Sequence, residues 1–187
     1  MIWVGSFQCL RSALPKPRFG VPLELHTWLP SETGLISPFA DWIMSLIARS
    51  DCVRGNEELV ELALREAVTN AILHGNRLDA RKLVHVRCCC EDTKGVFIVV
   101  RDQGHGFDPN TVANPLAVEN LEAEHGRGIH LMKLAVDEVS YERRGTEVQI
   151  RKKSQIEQKA PAQHIQKRLA RRLVRRPWPG VRAVDFG

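Results

Sequence analysis

The sequence predicts an α/β fold, built as one globular domain with an extension at each end. Three observations support this prediction. Residues 56–76 form a long helical pattern without proline, residues 83–102 match a β-hairpin, and residues 129–150 match a helix followed by two strands. The apolar fraction of 43% in a chain of 187 residues is sufficient for one core.

The charge is distributed unevenly along the chain. From residue 151 onward there are eleven Lys or Arg and two acidic residues, so the rest of the chain is mildly acidic although the net charge is +5. We expect three segments: an N-terminal extension (1–21), a folded domain (22–153) and a basic tail (154–187). In the tail, Ile165, Leu169 and Leu173 have helical spacing.

Composition argues against two classes of protein. No apolar run approaches the roughly 20 residues of a membrane span, and the first ten residues lack a basic leader, so we expect a cytoplasmic protein without a membrane anchor. The five cysteines include no CxxC pair. Cys88, Cys89 and Cys90 alternate between the faces of a predicted strand, so they cannot close on one metal.

The first predicted elements are a strand and a helix. Residues 22–29 alternate well enough for a strand that ends at the turn before Ser31. Ser31 or Thr33 is expected to cap a helix whose apolar residues continue to Ile47.

The predicted helix at residues 56–76 has two faces, followed by a stop at Gly75–Asn76. Its solvent-facing arc is expected to contain Glu57, Glu58, Glu61, Arg65 and Thr69. Its core-facing stripe is expected to contain Leu59, Leu62, Ala63 and Leu73. Glu66 and Asn70 lie one turn apart within that stripe, with His74 at its margin. Burying an unpaired carboxylate costs several kcal/mol, so we expect these groups to have a partner.

A capping or inter-helix hydrogen bond would account for one buried polar residue. A carboxylate, an amide and an imidazole along one line of a helix instead project ligands toward a single point. Mg²⁺ takes carboxylate and amide oxygens and keeps its own waters. We therefore predict a cation at Asn70, with its remaining ligands supplied by a bound molecule.

The predicted hairpin ends in a second inward-facing polar residue. Asp102 continues the face of Val96, Ile98 and Val100, and Thr146 begins the corresponding face of a later strand. If those strands pair antiparallel, Asp102 and Thr146 become neighbours. We expect Asp102 to recognise a base.

Two glycine pairs flank the loop at residues 103–125. Gly104 and Gly106 precede it, and Gly126 and Gly128 follow it, where a new helix is expected to begin. Glycines let backbone N–H groups approach an anion, and a helix start is electropositive, so phosphates are expected near Gly128. The chain lacks both the P-loop motif and the dinucleotide fingerprint.

Four motifs together resemble one superfamily. They are ExxxN at Glu66–Asn70, DxGxGF at Asp102–Phe107, GRGIxLM at Gly126–Met132 and GTEV at Gly145–Val148. Their order and spacing are similar to the N box and glycine boxes of the GHKL (histidine-kinase-like) ATPases, and most resemble the anti-sigma-factor serine/threonine kinase branch. The resemblance covers roughly residues 22–152 and implies a two-layer Bergerat-type sandwich, with helices on one face of a mixed, mostly antiparallel sheet.

The resemblance also implies a role for each matching residue, with ATP and Mg²⁺ as cofactors. Asn70 would coordinate Mg²⁺, Asp102 would accept a hydrogen bond from the adenine amino group, and Thr146 would support Asp102. Glu66 would be the general base, and His74 would lie near the phosphates. The glycine boxes would shape the base pocket and lid (Gly104, Gly106) and hold phosphates (Gly126, Arg127, Gly128).

Three functions are therefore in competition. The first is a homodimeric protein kinase that restrains a sigma factor and phosphorylates an anti-anti-sigma partner. The second is a module that binds ATP and sequesters a partner without modifying it. The third is nucleic-acid binding through the basic tail, for which the tail offers no reading motif, so that a disordered solubilising tail is favoured.

Overall fold

The computed structural model describes residues 22–108 and 127–159. Its five strands are β1 (Leu23–Pro30), β2 (Leu83–Glu91), β3 (Gly95–Arg101), β4 (Glu138–Glu142) and β5 (Glu147–Lys152). Its helices are α1 (Ile36–Ile47), α2 (Glu57–Asn70), α3 (Arg127–Ala135) and the short α4 (Gln155–Lys159). Each strand and helix predicted within these ranges is present, and the strand ends lie within two residues of the prediction. Helix α1 begins later than expected, at Ile36 after a 3₁₀ turn (Thr33–Leu35), and α2 ends earlier, at Asn70.

The strands form one sheet in the order β1-β2-β3-β5-β4. All four pairings between the described strands are antiparallel, so this sheet is more uniform than the mixed sheet that was expected. One face of the sheet joins the helices in a single core, to which Val86, Ile98 and Ile150 contribute. The opposite face includes the half-exposed Trp28. The two-layer α/β fold with helices on one face is confirmed.

Helix α2 is the central helix of the layer and packs against both α1 and α3. Its buried side chains are Val60, Ala63, Leu64, Ala67 and Val68. The predicted core stripe was therefore wrong for Leu59 and Leu62, whose side chains are 39% and 36% exposed. The face of α2 that carries Val60, Leu64 and Ala67 is buried in the core, whereas the face that carries Leu59 and Leu62 is partly exposed.

Two local predictions around α1 and α2 differ from the structure. Neither Ser31 nor Thr33 caps a helix, because the residues that precede the 3₁₀ turn and α1 make no side-chain capping bond. The Ser31 hydroxyl instead donates to the Lys82 carbonyl, at 2.9 Å. After Asn70 the chain continues through one π-helical turn, Ala71–Gly75, before it leaves the helix.

The packed structure continues beyond the predicted domain boundary at residue 153. Ser154 is buried, and its hydroxyl donates to the Thr93 carbonyl at 2.7 Å. Helix α4 then runs to Lys159. The extension at 1–21 and the tail from residue 160 lie outside the described residues, as does the loop from 109 to 126. No helix within the described ranges is long and apolar enough to cross a membrane.

Candidate functional site

Asp102 and Thr146 are neighbours at one end of the sheet, as predicted from strand pairing. Their strands pair antiparallel up to Arg101 and Glu147, and the Asp102 N–H then donates to the Thr146 carbonyl at 3.0 Å. The Thr146 hydroxyl donates to the Arg143 carbonyl, also at 3.0 Å. Thr146 therefore holds the Asp102 backbone through its main chain, while its hydroxyl is engaged within its own turn.

The Asp102 carboxylate lies in a pocket bounded by two glycines. The Gly104 N–H donates to its Oδ1 at 2.7 Å, and a β-carbon placed on Gly75 would overlap the carboxylate. Burial raises the pKa of Asp102, and the Gly104 N–H partly opposes that shift. The chain thus presents a half-buried carboxylate, a strong hydrogen-bond acceptor, in a place that only glycine neighbours leave open.

Gly106 and Gly145 bring two turns close together beside this carboxylate. Both have positive φ angles, +77° and +83°, which side-chain-bearing residues rarely adopt. The Phe107 N–H donates to the Arg144 carbonyl at 2.9 Å, and the Phe107 ring packs edge-on against Tyr141 with centroids 5.4 Å apart. Gly106 therefore lets the chain at Phe107 approach the Arg144 carbonyl, and Gly145 lets the facing turn approach Phe107.

Glu66 and Asn70 form a second polar group, on the flank of α2 that faces α3. Both are half-buried. A β-carbon on Gly128 would overlap the Glu66 carboxylate and lie 3.5 Å from Asn70 Nδ2. The start of α3 therefore reaches these two side chains because residue 128 is glycine.

This second group suits a cation that is shared with an anionic ligand. No cluster of three His, Cys, Asp or Glu in the described ranges could hold a metal without a further ligand. Asn70 offers one amide oxygen on the same helix flank as the Glu66 carboxylate, and Mg²⁺ accepts such hard oxygens when phosphates and waters complete its shell. The donor set fits Mg²⁺ bound together with a phosphate ligand.

The remaining predicted site residues lie around this group. His74 is exposed on the π-helical turn that follows Asn70. Arg127 is the first residue of α3, and only its backbone is described. Gly126 lies outside the described residues. The structure thus brings Glu66, Asn70 and Gly128 together.

Asn76 belongs to a buried network that the sequence did not predict. Its side chain is fully buried, donates to Ser31 Oγ at 2.8 Å and to the Leu83 carbonyl at 3.2 Å, and accepts from the Gln103 N–H at 2.7 Å. The network joins the chain before α1, the end of the α2 segment and the strand ends next to Asp102. A polar residue after Gly75 was the only available signal, and it is equally typical of an ordinary helix stop.

The two polar groups lie at different points along the helical segment that begins with α2. Gly75, which touches Asp102, follows Glu66 by nine residues, which corresponds to about 13 Å of helix. A half-buried carboxylate acceptor at one point and a carboxylate, an amide and a helix start at the other suit an extended molecule with a polar ring and phosphates.

Comparisons with known proteins agree with this geometry. Residues 29–152 match the family model described as "Histidine kinase-like ATPase domain". The chain is 32% identical over 115 residues to an "Anti-sigma F factor" from Geobacillus stearothermophilus. The aligned region covers 59% of this chain and 78% of that protein.

Two further relatives are also named "Anti-sigma F factor". The Bacillus cereus (strain G9842) protein is 36% identical over 103 residues, covering 51% of this chain and 70% of that protein. The Clostridium perfringens protein is 36% identical over 105 residues, covering 52% and 74%. The chain belongs to the histidine-kinase-like ATPase family, in the anti-sigma-factor kinase branch of the GHKL superfamily.

Proposed function

We propose that this protein is an ATP-dependent anti-sigma regulator that phosphorylates a serine or threonine of an anti-anti-sigma partner. The observation that carries the proposal is the position of Glu66. Its carboxylate lies at the start of α3 and on the same helix flank as Asn70, where the electropositive helix start suits phosphates. A basic group in that position can accept a proton from a hydroxyl.

Mg-ATP would bind along the helical segment between Glu66 and Gly75. Asp102 would accept a hydrogen bond from the adenine amino group, and Asn70 would ligate Mg²⁺. Gly126, Arg127 and Gly128 would hold the phosphates at the electropositive start of α3. Bound ATP supplies the transferable phosphoryl group and most of the oxygen ligands of the metal.

Glu66 would act on the partner rather than on the nucleotide. Phosphoryl transfer depends on positioning and charge neutralisation, so the task of a base is to orient the hydroxyl and accept its proton. The Glu66 carboxylate is half-buried next to a glycine, so part of its surface stays open to such a hydroxyl. An Asn70-bound cation nearby would neutralise the developing charge.

The partners are inferred from the family and from the relatives, which are named "Anti-sigma F factor". We include in the proposal that the protein works as a cytoplasmic homodimer, restrains a sigma factor, and thereby regulates transcription. Its kinase substrate would be the anti-anti-sigma protein that releases that sigma factor.

The proposal is tested by radiolabel transfer from γ-labelled ATP to candidate anti-anti-sigma proteins from the same genome. We expect Mg²⁺-dependent label on one of them, lost when its acceptor serine or threonine is replaced by alanine. Nucleotide-dependent capture of a partner without any label would contradict the kinase assignment and would favour sequestration without chemistry.

A further inference from the structure

Four leucines are exposed on the two helices that meet at Glu66. Leu59 and Leu62 of α2 are 39% and 36% exposed, and Leu131 and Leu134 of α3 are 38% and 70% exposed. We call this set the leucine strip. A single exposed leucine is ordinary on a protein surface, whereas a cluster of exposed apolar side chains often marks a binding surface.

The relative position of α2 and α3 is fixed by one close contact. The helices pack against each other, and the start of α3 meets α2 where Gly128 approaches the Glu66 carboxylate. The helices run in opposite directions. The segment that continues α2 leads to Asp102, beside the start of β5, whereas the N–H of Asp137, just after α3, donates to the Arg151 carbonyl at the end of β5.

The leucine strip begins one helical turn from this contact. Leu62 precedes Glu66 by four residues and Leu131 follows Gly128 by three, so these two leucines lie on neighbouring parts of the two helices. The other two leucines each lie three residues farther along, in the same direction because the helices are antiparallel. The strip therefore extends about 10 Å from Glu66 along both helices.

Opposite charges border the strip on its two sides. Glu58 lies one turn before Leu62 on α2, is exposed, and forms no salt bridge with another described residue. Lys133, next to Leu134 on α3, is also exposed and has no salt bridge within the described ranges. A partner surface with a basic side and an acidic side would be complementary to this border.

We propose that the leucine strip is the docking surface for the protein that the proposed kinase phosphorylates. This role rests on the proposed function, in which Glu66 meets the hydroxyl of the partner. To bring a hydroxyl to Glu66, the partner must cover the surface around that side chain. A specific protein contact covers about 800 Å² on each side, which extends far beyond one helical turn. A partner seated over α2 and α3 at Glu66 would therefore lie on the strip.

The strip also defines the kind of partner that fits. Such a protein would present its acceptor serine or threonine at one end of an apolar ridge about 10 Å long. Basic residues would flank the ridge on the side that faces Glu58, and acidic residues would flank it on the side that faces Lys133. The strip would thus select which protein is phosphorylated, whereas the chemistry stays with Glu66 and the nucleotide.

The test measures partner binding and phosphate transfer separately, with purified candidate anti-anti-sigma proteins from the same genome. Leu134→Asp should weaken binding of the partner at least about tenfold in titration calorimetry and should raise KM for that partner by a similar factor. Its Mg-ATP affinity and its kcat at saturating partner should equal those of the parent, because Leu134 lies six residues beyond Gly128. Leu134 is largely exposed, so thermal unfolding should also be unchanged.

Two further variants complete the test. Lys133→Glu should weaken partner binding severalfold, and this loss should become smaller in 1 M salt, because the contact depends on exposed charges. Ile156→Asp is the matched control, at a 61% exposed isoleucine of α4 outside the strip. It should bind the partner and transfer phosphate like the parent.

The outcomes distinguish this proposal from the kinase assignment. Phosphate transfer by the parent, with a parent-like KM in Leu134→Asp, would overturn the docking surface and leave the kinase assignment standing. Partner binding without transfer, lost in Leu134→Asp, would support the docking surface and contradict the kinase assignment. Failure of the parent to bind any candidate would overturn the docking surface. So would a dimer in sedimentation experiments that Leu134→Asp converts to monomers, since the strip would then belong to a second copy.

Discussion

Gly75 and Asp102 are in direct contact across the junction between α2 and β3, and the contact depends on the missing side chain of the glycine. A β-carbon at residue 75 would overlap all three outer atoms of the Asp102 carboxyl group. That carboxyl group is also tied to the Gly104 N–H at 2.7 Å, so it cannot move aside without losing a hydrogen bond. The position of the proposed adenine acceptor is therefore set by a residue on the helix that carries Glu66.

Gly75→Ala should weaken Mg-ATP binding by about tenfold or more, because the new methyl group must displace the Asp102 carboxylate, and such overpacking costs about 1–3 kcal/mol. Titration calorimetry measures the effect. Gly34→Ala is the matched control, since a β-carbon at residue 34 meets nothing within 4 Å. If Gly75→Ala binds Mg-ATP as tightly as the parent, the position of the Asp102 carboxylate does not matter for nucleotide binding.

Asp102→Asn should reduce the preference for ATP over GTP. The carboxylate has a second oxygen for an amino group beside the Oδ1 that accepts from Gly104, whereas the amide has only one acceptor oxygen. A charged hydrogen bond contributes about 1.5–3 kcal/mol. Competition between the two nucleotides on the same protein checks this. Equal weakening of both would count against base recognition by Asp102.

The same substitution should change how stability depends on pH. Because burial raises the pKa of Asp102, the folded protein holds this proton more tightly than the unfolded chain, whose Asp pKa is about 3.9. Stability contributed by Asp102 is therefore present below that value and is lost as the pH rises through the higher folded pKa. Urea unfolding from pH 3.5 upward should show Asp102→Asn gaining stability relative to the parent. If Asp102→Asn instead loses stability relative to the parent as the pH rises, the pKa of Asp102 is not raised in the folded protein.

Asn76→Ala should lower the free energy of unfolding by about 2–4 kcal/mol, because each buried group left without its partner costs about 1–3 kcal/mol. Chemical denaturation measures the difference. Asn56→Ala is the control and should change stability by less than about 0.5 kcal/mol, since the Asn56 side chain makes no capping bond. A similar small change in Asn76→Ala would mean that water replaces the network.

The sequence predicted the parts of the site that depend on strand and helix periodicity. The alternation of Val96, Ile98 and Val100 placed Asp102 inward and next to Thr146, which the pairing of β3 with β5 confirms. Glu66 and Asn70 were expected one turn apart within the core-facing stripe, and the structure places them half-buried on the side of α2 that faces α3. These positions follow from the regular geometry of a strand or a helix, which depends only on neighbouring residues in the sequence.

The predictions that were wrong concern residues whose environment is set by segments far away in the sequence. Leu59 and Leu62 are as hydrophobic as Leu64, but α2 buries the face that carries Leu64 and leaves the other two leucines partly exposed. Ser31 is a good helix cap, yet its hydroxyl donates to Lys82 and accepts from Asn76. Such choices depend on contacts between distant segments, which periodicity does not register.

Glu66→Gln tests the central claim, that this protein transfers phosphate with Glu66 as the base. The substitution keeps the size of the side chain and removes its basicity, while Asn70 remains available for Mg²⁺. The measurement is transfer of label from ATP to the partner, made alongside Mg-ATP titration, with Glu32→Gln at an exposed position as the matched control.

We predict that Glu66→Gln binds Mg-ATP about as tightly as the parent but transfers phosphate about 10²–10⁴ times more slowly, the usual cost of losing a general base. Glu32→Gln should behave like the parent in both assays. Loss of ATP binding in Glu66→Gln would make Glu66 structural. Transfer at the parent rate would contradict its role as the base.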